Sequence, residues 1–117
     1  MSQTAVQPQR TLPPNIADFC RRAVEALRAK LPVREVWLFG SHAEGTANEH
    51  SDVDLFVVLE DGHGLKQPTL ACRRAVSDLR ERQPLDMVAL AEMQWRDEAV
   101  RKFSIYGEIA EKGVRLL

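Results

Sequence analysis

The chain predicts a single mixed α/β (α+β) domain, a β-sheet covered by helices, and three observations carry that prediction. Its 117 residues, 44% apolar and 28% charged, suffice for one core and are too few for two. The hydrophobic period switches along the chain in the order helix, strand, strand, helix, strand, helix. Only twelve residues, 40–51, separate the first strand from the Asp52-Val53-Asp54 stretch that opens the second. That is barely enough for a parallel crossover, so an antiparallel pair with a short helical excursion is expected.

Residues 1–12 are polar, Gln-rich and aperiodic, and read as a disordered lead-in to a domain over 13–117. Pro13-Pro14-Asn15 opens the first helix, with Asn15 as the expected N-cap. Ile16, Phe19, Cys20, Ala23, Val24 and Leu27 form its apolar stripe, and Pro32 ends it. Val33–Phe39 is rich in β-branched and aromatic residues and reads as a buried strand. Asp54–Leu59 is the second strand, followed by a mobile Gly-rich loop at 60–64. A helix is expected from about Pro68 to Arg82, with Cys72, Ala75, Val76 and Leu79 inward. Pro84 introduces a third strand, Leu85–Leu90. The last helix starts near Glu92, presents Trp95, Ala99, Val100 and Phe103, and stops by Gly113, before a short apolar tail.

Several function classes are excluded or disfavoured by composition. A formal net charge of −1 gives no bulk attraction to nucleic acid or anionic membrane, so direct nucleic-acid binding is not expected. No apolar run approaches the roughly 18–20 residues that span a bilayer, and the amino terminus lacks the apolar core of a signal peptide. Cys20 and Cys72 lie far apart within helical patterns and read as buried thiols of a reducing cytoplasm.

The chemistry concentrates in FGSHAEGTANEHSDVDLFVV, residues 39–58. Asp52 and Asp54 are two apart at the mouth of a strand, so both carboxylates point to one side. Two carboxylates in a half-buried setting repel unless a cation joins them, and Mg²⁺ or Mn²⁺ suits an all-oxygen pair. Such an ion keeps positions open for substrate phosphates, which points to a nucleoside triphosphate. Gly40 lets backbone approach a ligand, Ser41 offers a hydroxyl and an N–H, and Gly45 shapes the next turn. Other motifs fail on spacing. Phe39 and Ala43 stand where a nucleophile elbow needs Gly, a Walker-type Gly-Lys-Ser/Thr is missing, and Phe56 and Val57 break a calcium loop.

Gly-Ser, ten residues, Asp-x-Asp and an apolar strand resemble the signature of the DNA polymerase beta-like nucleotidyltransferase superfamily. The short chain is similar to its minimal nucleotidyltransferases, which lack an added helical domain. The family carries a third carboxylate on a later strand, and QPLDMVAL offers Asp86 at the matching place. The resemblance implies that Asp52, Asp54 and Asp86 bind two metal ions while Asp86 helps to activate the attacking hydroxyl. Gly40 and Ser41 then contact phosphate, and the hydroxyl attacks the α-phosphorus of ATP in line, releasing pyrophosphate.

Within that family the chain resembles the antitoxins of two-gene modules, whose partner is an all-helical HEPN ribonuclease toxin. The implied reaction is AMP transfer from ATP to a tyrosine of the toxin, within a hetero-oligomer. Two alternatives stand beside it: a non-catalytic antitoxin acting by contact, and transfer to a small molecule such as an aminoglycoside. Glu44 is a departure, because the family more often carries a basic residue there and an acid opposes phosphate. His42, His50 and His63 lack metal-ligand spacing, although His42 adjoins Ser41. Lys66, Arg73 and Arg74 read as a solvated face that could offset phosphate charge, and Trp37 and Trp95 read as core.

Overall fold

Two adjacent prolines set the start of the domain in a computed structural model that describes residues 12–79 and 83–117. Helix α1 (Pro14–Lys30) begins with Pro14 in its first turn, and the amides of Ile16 and Ala17 donate to the Pro13 carbonyl at 3.0 and 2.9 Å. Asn15 therefore lies inside the first turn and does not cap it. The fixed φ of proline already suits the helix, and its missing N–H would have had no partner there. Residues 1–11 of the expected lead-in lie outside the described residues, while Leu12 packs against the core.

Strand β1 (Val33–Phe39) leads through Gly40 into a four-residue helix α2 (Ser41–Glu44), and β2 spans Val53–Leu59. β1 and β2 are antiparallel, as the short connection predicts, with Phe39 opposite Asp54. After the 60–64 loop, α3 (Pro68–Ala75) is shorter than its expected reach to Arg82. Val76 leaves helical geometry, and a single 3₁₀ turn follows at Ser77–Leu79; residues 80–82 lie outside the described residues. The ammonium of Lys30 donates to the Ala75 carbonyl at 2.9 Å and so takes over one of the acceptors that ending the helix releases. Cys72, Ala75 and Val76 still face inward, and Leu79 packs against them.

Strand β3 (Leu85–Ala91) pairs in parallel with β2. The expected last helix is two helices, α4 (Glu92–Ala99) and α5 (Ile105–Lys112). Val100 and Phe103 stand fully in solvent between them, at 81% and 105% relative exposure, and Phe103 has φ +64°. The missed signal is Ser104, whose hydroxyl accepts from the Gly107 amide at 3.0 Å and caps α5. Gly107 itself is required by close approach, since a Cβ there would strike the Arg101 carbonyl.

Gly113 follows α5 as expected, but its φ of −70° is ordinary. Its smallness serves packing instead: a Cβ would press on the Trp37 ring at 3.1 Å. The apolar tail forms β4 (Val114–Arg115), antiparallel to β1, which closes a four-stranded sheet in the order β3-β2-β1-β4. No described helix is long and apolar enough to cross a membrane.

Alternation along the strands sorts the core into two clusters. Val53, Leu55, Val57 and Leu59 of β2 join Leu85, Met87 and Ala89 of β3 beneath α1 and α3. Phe56 and Val58 face the other way, with Trp95 of α4 and Ile109 of α5. Phe56 lies 4.7 Å from the Trp95 ring and 5.5 Å from that of Tyr106. Cys20 and Cys72 are buried free thiols, both pushed up by burial, to about 11 and about 12.

Candidate active site

Strand register brings the sequence-predicted residues to one edge. Asp54 stands opposite Phe39 on β1 and beside Asp86 on β3, so Phe39, Asp54 and Asp86 form a row across three strands. Directly paired residues share a face. By alternation it is the face of Phe56, Val58, Val88 and Leu90, which α4 and α5 cover farther along. Asp52 precedes β2 by one residue and is exposed, while Asp54 is partly buried.

The Asp54 carboxyl is pushed above its ordinary value. Burial is the main cause, repulsion from Asp86 and then Asp52 adds to it, and His42 partly offsets them. This is the electrostatic signature of carboxylates gathered without a counter-charge. A partial one is present: Arg73 reaches Asp86 at 3.5 Å, both side chains being substantially exposed. Arg73, read from sequence as part of a solvated face, thus touches the site. A long, exposed pair of this kind stabilises little.

Gly40 is demanded twice. Its φ of +75° and ψ of −154° belong to a region essentially reserved for glycine, and a Cβ would overlap the Asp54 carboxylate. Ser41 opens α2, with Gly40 at the N-cap position and no side-chain cap bond. Gly45 ends α2 in the left-handed conformation at φ +79°.

Two side chains that sequence reasoning did not assign hold this edge together. The Gln83 amide donates to the carbonyls of Ser51 and Pro84, at 3.1 and 3.0 Å, while the Val53 amide donates to Pro84 at 3.0 Å. His42 Nε2 also meets the Ser51 carbonyl, at 3.3 Å, which assigns the proton to that nitrogen. The approaches to β2 and β3, and so the spacing of Asp52, Asp54 and Asp86, are stitched through Ser51. Side-chain to backbone contacts between separate segments have no sequence periodicity to betray them. His63 accepts from the Leu65 amide at 2.9 Å, a loop contact, and His50 is exposed.

Among the described residues, no three His, Cys, Asp or Glu side chains form a ready-made metal cage. The carboxylates make an open row instead. That donor set fits Mg²⁺, which is held by one or two carboxylates plus substrate phosphates more often than by an all-protein cage.

The family model for a nucleotidyltransferase domain matches residues 20–111. No curated relative matches the chain by sequence. Among solved structures, a Sulfolobus solfataricus protein described as a nucleotidyltransferase aligns at 22% identity and a TM-score of 0.59, covering 86% of this chain and 78% of its own. A toxin–antitoxin structure with AMP-PNP aligns at 20% identity and a TM-score of 0.61, covering 84% and 72%. A mutant of the toxin–antitoxin pair MntA-HpeT, with two aspartates two positions apart changed to glutamate, aligns at 19% and 0.58, with the same coverage. At these identities the structural likeness establishes the fold. The family match extends over most of the chain and includes Gly40, Ser41, Asp52, Asp54 and Asp86, and the protein belongs to the nucleotidyltransferase domain family.

Proposed function

We propose that this nucleotidyltransferase is the antitoxin of a toxin–antitoxin pair. It transfers AMP from ATP to a tyrosine hydroxyl of a HEPN-type toxin with which it forms a hetero-oligomer. The observation that carries the catalytic half is the register that sets Asp54 beside Asp86, with Gly40 against the Asp54 carboxylate and Asp52 two residues before it. The partner half is supported by the fold shared with two toxin–antitoxin structures, one of them with AMP-PNP.

Asp52, Asp54 and Asp86 would hold two Mg²⁺ or Mn²⁺ ions, and Gly40 and Ser41 would receive phosphate. Bound ions neutralise the charge that develops on the attacking and leaving oxygens. The chain's own part is orientation and proton handling. Gly40, lacking a side chain, lets phosphate approach the backbone beside Asp54. The acceptor oxygen forms a bond to the α-phosphorus as the bond to the bridging oxygen breaks. Pyrophosphate leaves, and the hydroxyl proton passes to the Asp86 carboxylate. Its loose pairing with Arg73 leaves that carboxylate available.

Mass spectrometry tests the proposal. Incubating the chain with ATP, Mg²⁺ and its toxin should add about 329 Da per AMP to the toxin, the mass set by adenylyl transfer onto a hydroxyl. Asp52→Ala/Asp54→Ala should abolish the gain and keep the fold, because neither residue belongs to the apolar core. If that double mutant neutralises the toxin as well as the wild type and no mass is added, inhibition is by contact and the enzymatic reading is wrong.

A further inference from the structure

A cavity of about 150 Å³ opens beside Gly40, walled by Phe39, Ile105 and Ile109 and edged by the exposed Glu44, Glu108 and Lys112. We propose that this cavity receives the base of the nucleoside triphosphate and selects a planar heterocycle bearing an exocyclic amino group. The inference rests on the phosphate-binding reading of Gly40 and Ser41 and extends it to the rest of the nucleotide.

Position comes first. Gly40 lines the cavity and also abuts the Asp54 carboxylate, so phosphates held at Gly40 bring the rest of a nucleotide next to this opening. Phe39 is the register partner of Asp54, which puts the cavity wall and the carboxylate row on one face of the sheet. Size agrees, since a cavity near 150 Å³ with aliphatic and aromatic walls is on the scale of one flat heterocyclic base. An open mouth leaves space for the sugar.

Chemistry agrees as well. Apolar walls with a few convergent polar groups are the usual make-up of a small-molecule site, and every nucleobase has a π-face for an aromatic wall. Glu44 and Glu108 accept hydrogen bonds and Lys112 donates them, the complement of an amino group beside a ring nitrogen. The Lys112–Glu108 pair, at 3.8 Å and solvent-exposed, is loose enough to exchange partners. This also gives Glu44 a place: it edges the base cavity, where an acceptor is useful. A larger cavity of about 560 Å³, lined by Leu12, Ile16, Asn48 and Gln83 among others, has neither Gly40 nor the three aspartates in its wall.

Calorimetry on the full chain with Mg²⁺ separates base from phosphates by comparing ATP with inorganic tripolyphosphate. Ile105 is half-exposed, at 49%, so the fold tolerates its replacement. Ile105→Trp, which fills the mouth, should raise the Kd for ATP about tenfold or more and leave that for tripolyphosphate within about twofold. Ile105→Ala, which removes a wall, should weaken ATP in the same selective way but less. Purine riboside triphosphate, lacking the amino group, should bind wild type more weakly than ATP does, and Ile105→Trp should erase the difference. Equal changes for ATP and tripolyphosphate, or none, would overturn the base site while leaving the phosphate reading intact. A wild type that binds neither probe overturns the phosphate reading, and the base site falls with it.

Discussion

The face of the sheet toward α1 and α3 and the face toward α4 and α5 are built from the same strands, yet they carry different kinds of residue. Among the described residues, the first buries 18 side chains in one continuous cluster, all apolar. The second buries four, centred on Phe56 and Trp95, and ends at Asp54, Asp86 and the cavity beside Gly40. The main core and the candidate site thus sit back to back across one sheet, with successive residues of β2 alternating between them. Asp54 and Asp86 ride on strands whose opposite face is packed against the core. The site is also open, because Asp52 and Asp86 are exposed.

The comparison breaks most visibly if the two faces turn out to be energetically alike. Leu55→Ala empties a fully buried position on the sealed face and should lose about 2–5 kcal/mol of unfolding free energy. Leu90→Ala, at a partly buried position on the other face, should lose clearly less. Urea unfolding of both variants measures this, and equal losses would mean the face of the candidate site is as stabilising as the sealed one.

Gly40→Ala sharpens the boundary between stability and chemistry. The strained backbone should lose roughly 1–3 kcal/mol, and the new methyl must displace the Asp54 carboxylate. Metal-dependent ATP binding should therefore fall at least about tenfold in a protein whose circular dichroism remains native. Unchanged binding would show that the contact between Gly40 and Asp54 has no part in the site.

The smallest effect concerns the carboxylate row itself. Asp54 has a folded pKa raised above its unfolded value, chiefly by burial, so the folded state holds its proton more tightly. Its ionisation then costs stability in full above the raised pKa, and the cost fades as pH falls toward the unfolded value. Metal-free Asp54→Asn should accordingly melt a few degrees higher than wild type near neutral pH and almost identically in the ordinary carboxylate range. A mutant that melts lower at neutral pH would show that Asp54 is stabilising even without metal.

Much of this was legible in the linear chain because it depends on period and spacing. The stripe of α1, the exact span of β1, and the antiparallel β1–β2 pair from a short connection all follow from local geometry. So does the Gly-Ser and Asp-x-Asp pattern, whose side chains are related by a strand's two-residue repeat. Boundaries set by competition between local terms were less legible. Two prolines displaced Asn15 as cap, and Ser104 with Gly107 divided the last helix so that Val100 and Phe103 face water.

What only the tertiary structure decided is how distant segments meet. Parallel pairing places Asp86 beside Asp54, a relation that 31 intervening residues do not encode locally. Two residues at the tail become β4 solely because β1 offers an unpaired edge. Gln83 finds Ser51, Arg73 finds Asp86, and Ile105 comes to Gly40. By itself the sequence determined which groups are candidates for the chemistry, because residue type and strand period are local properties. Their convergence into one site was decided by the packing of the whole chain, where register and burial act between residues far apart in sequence.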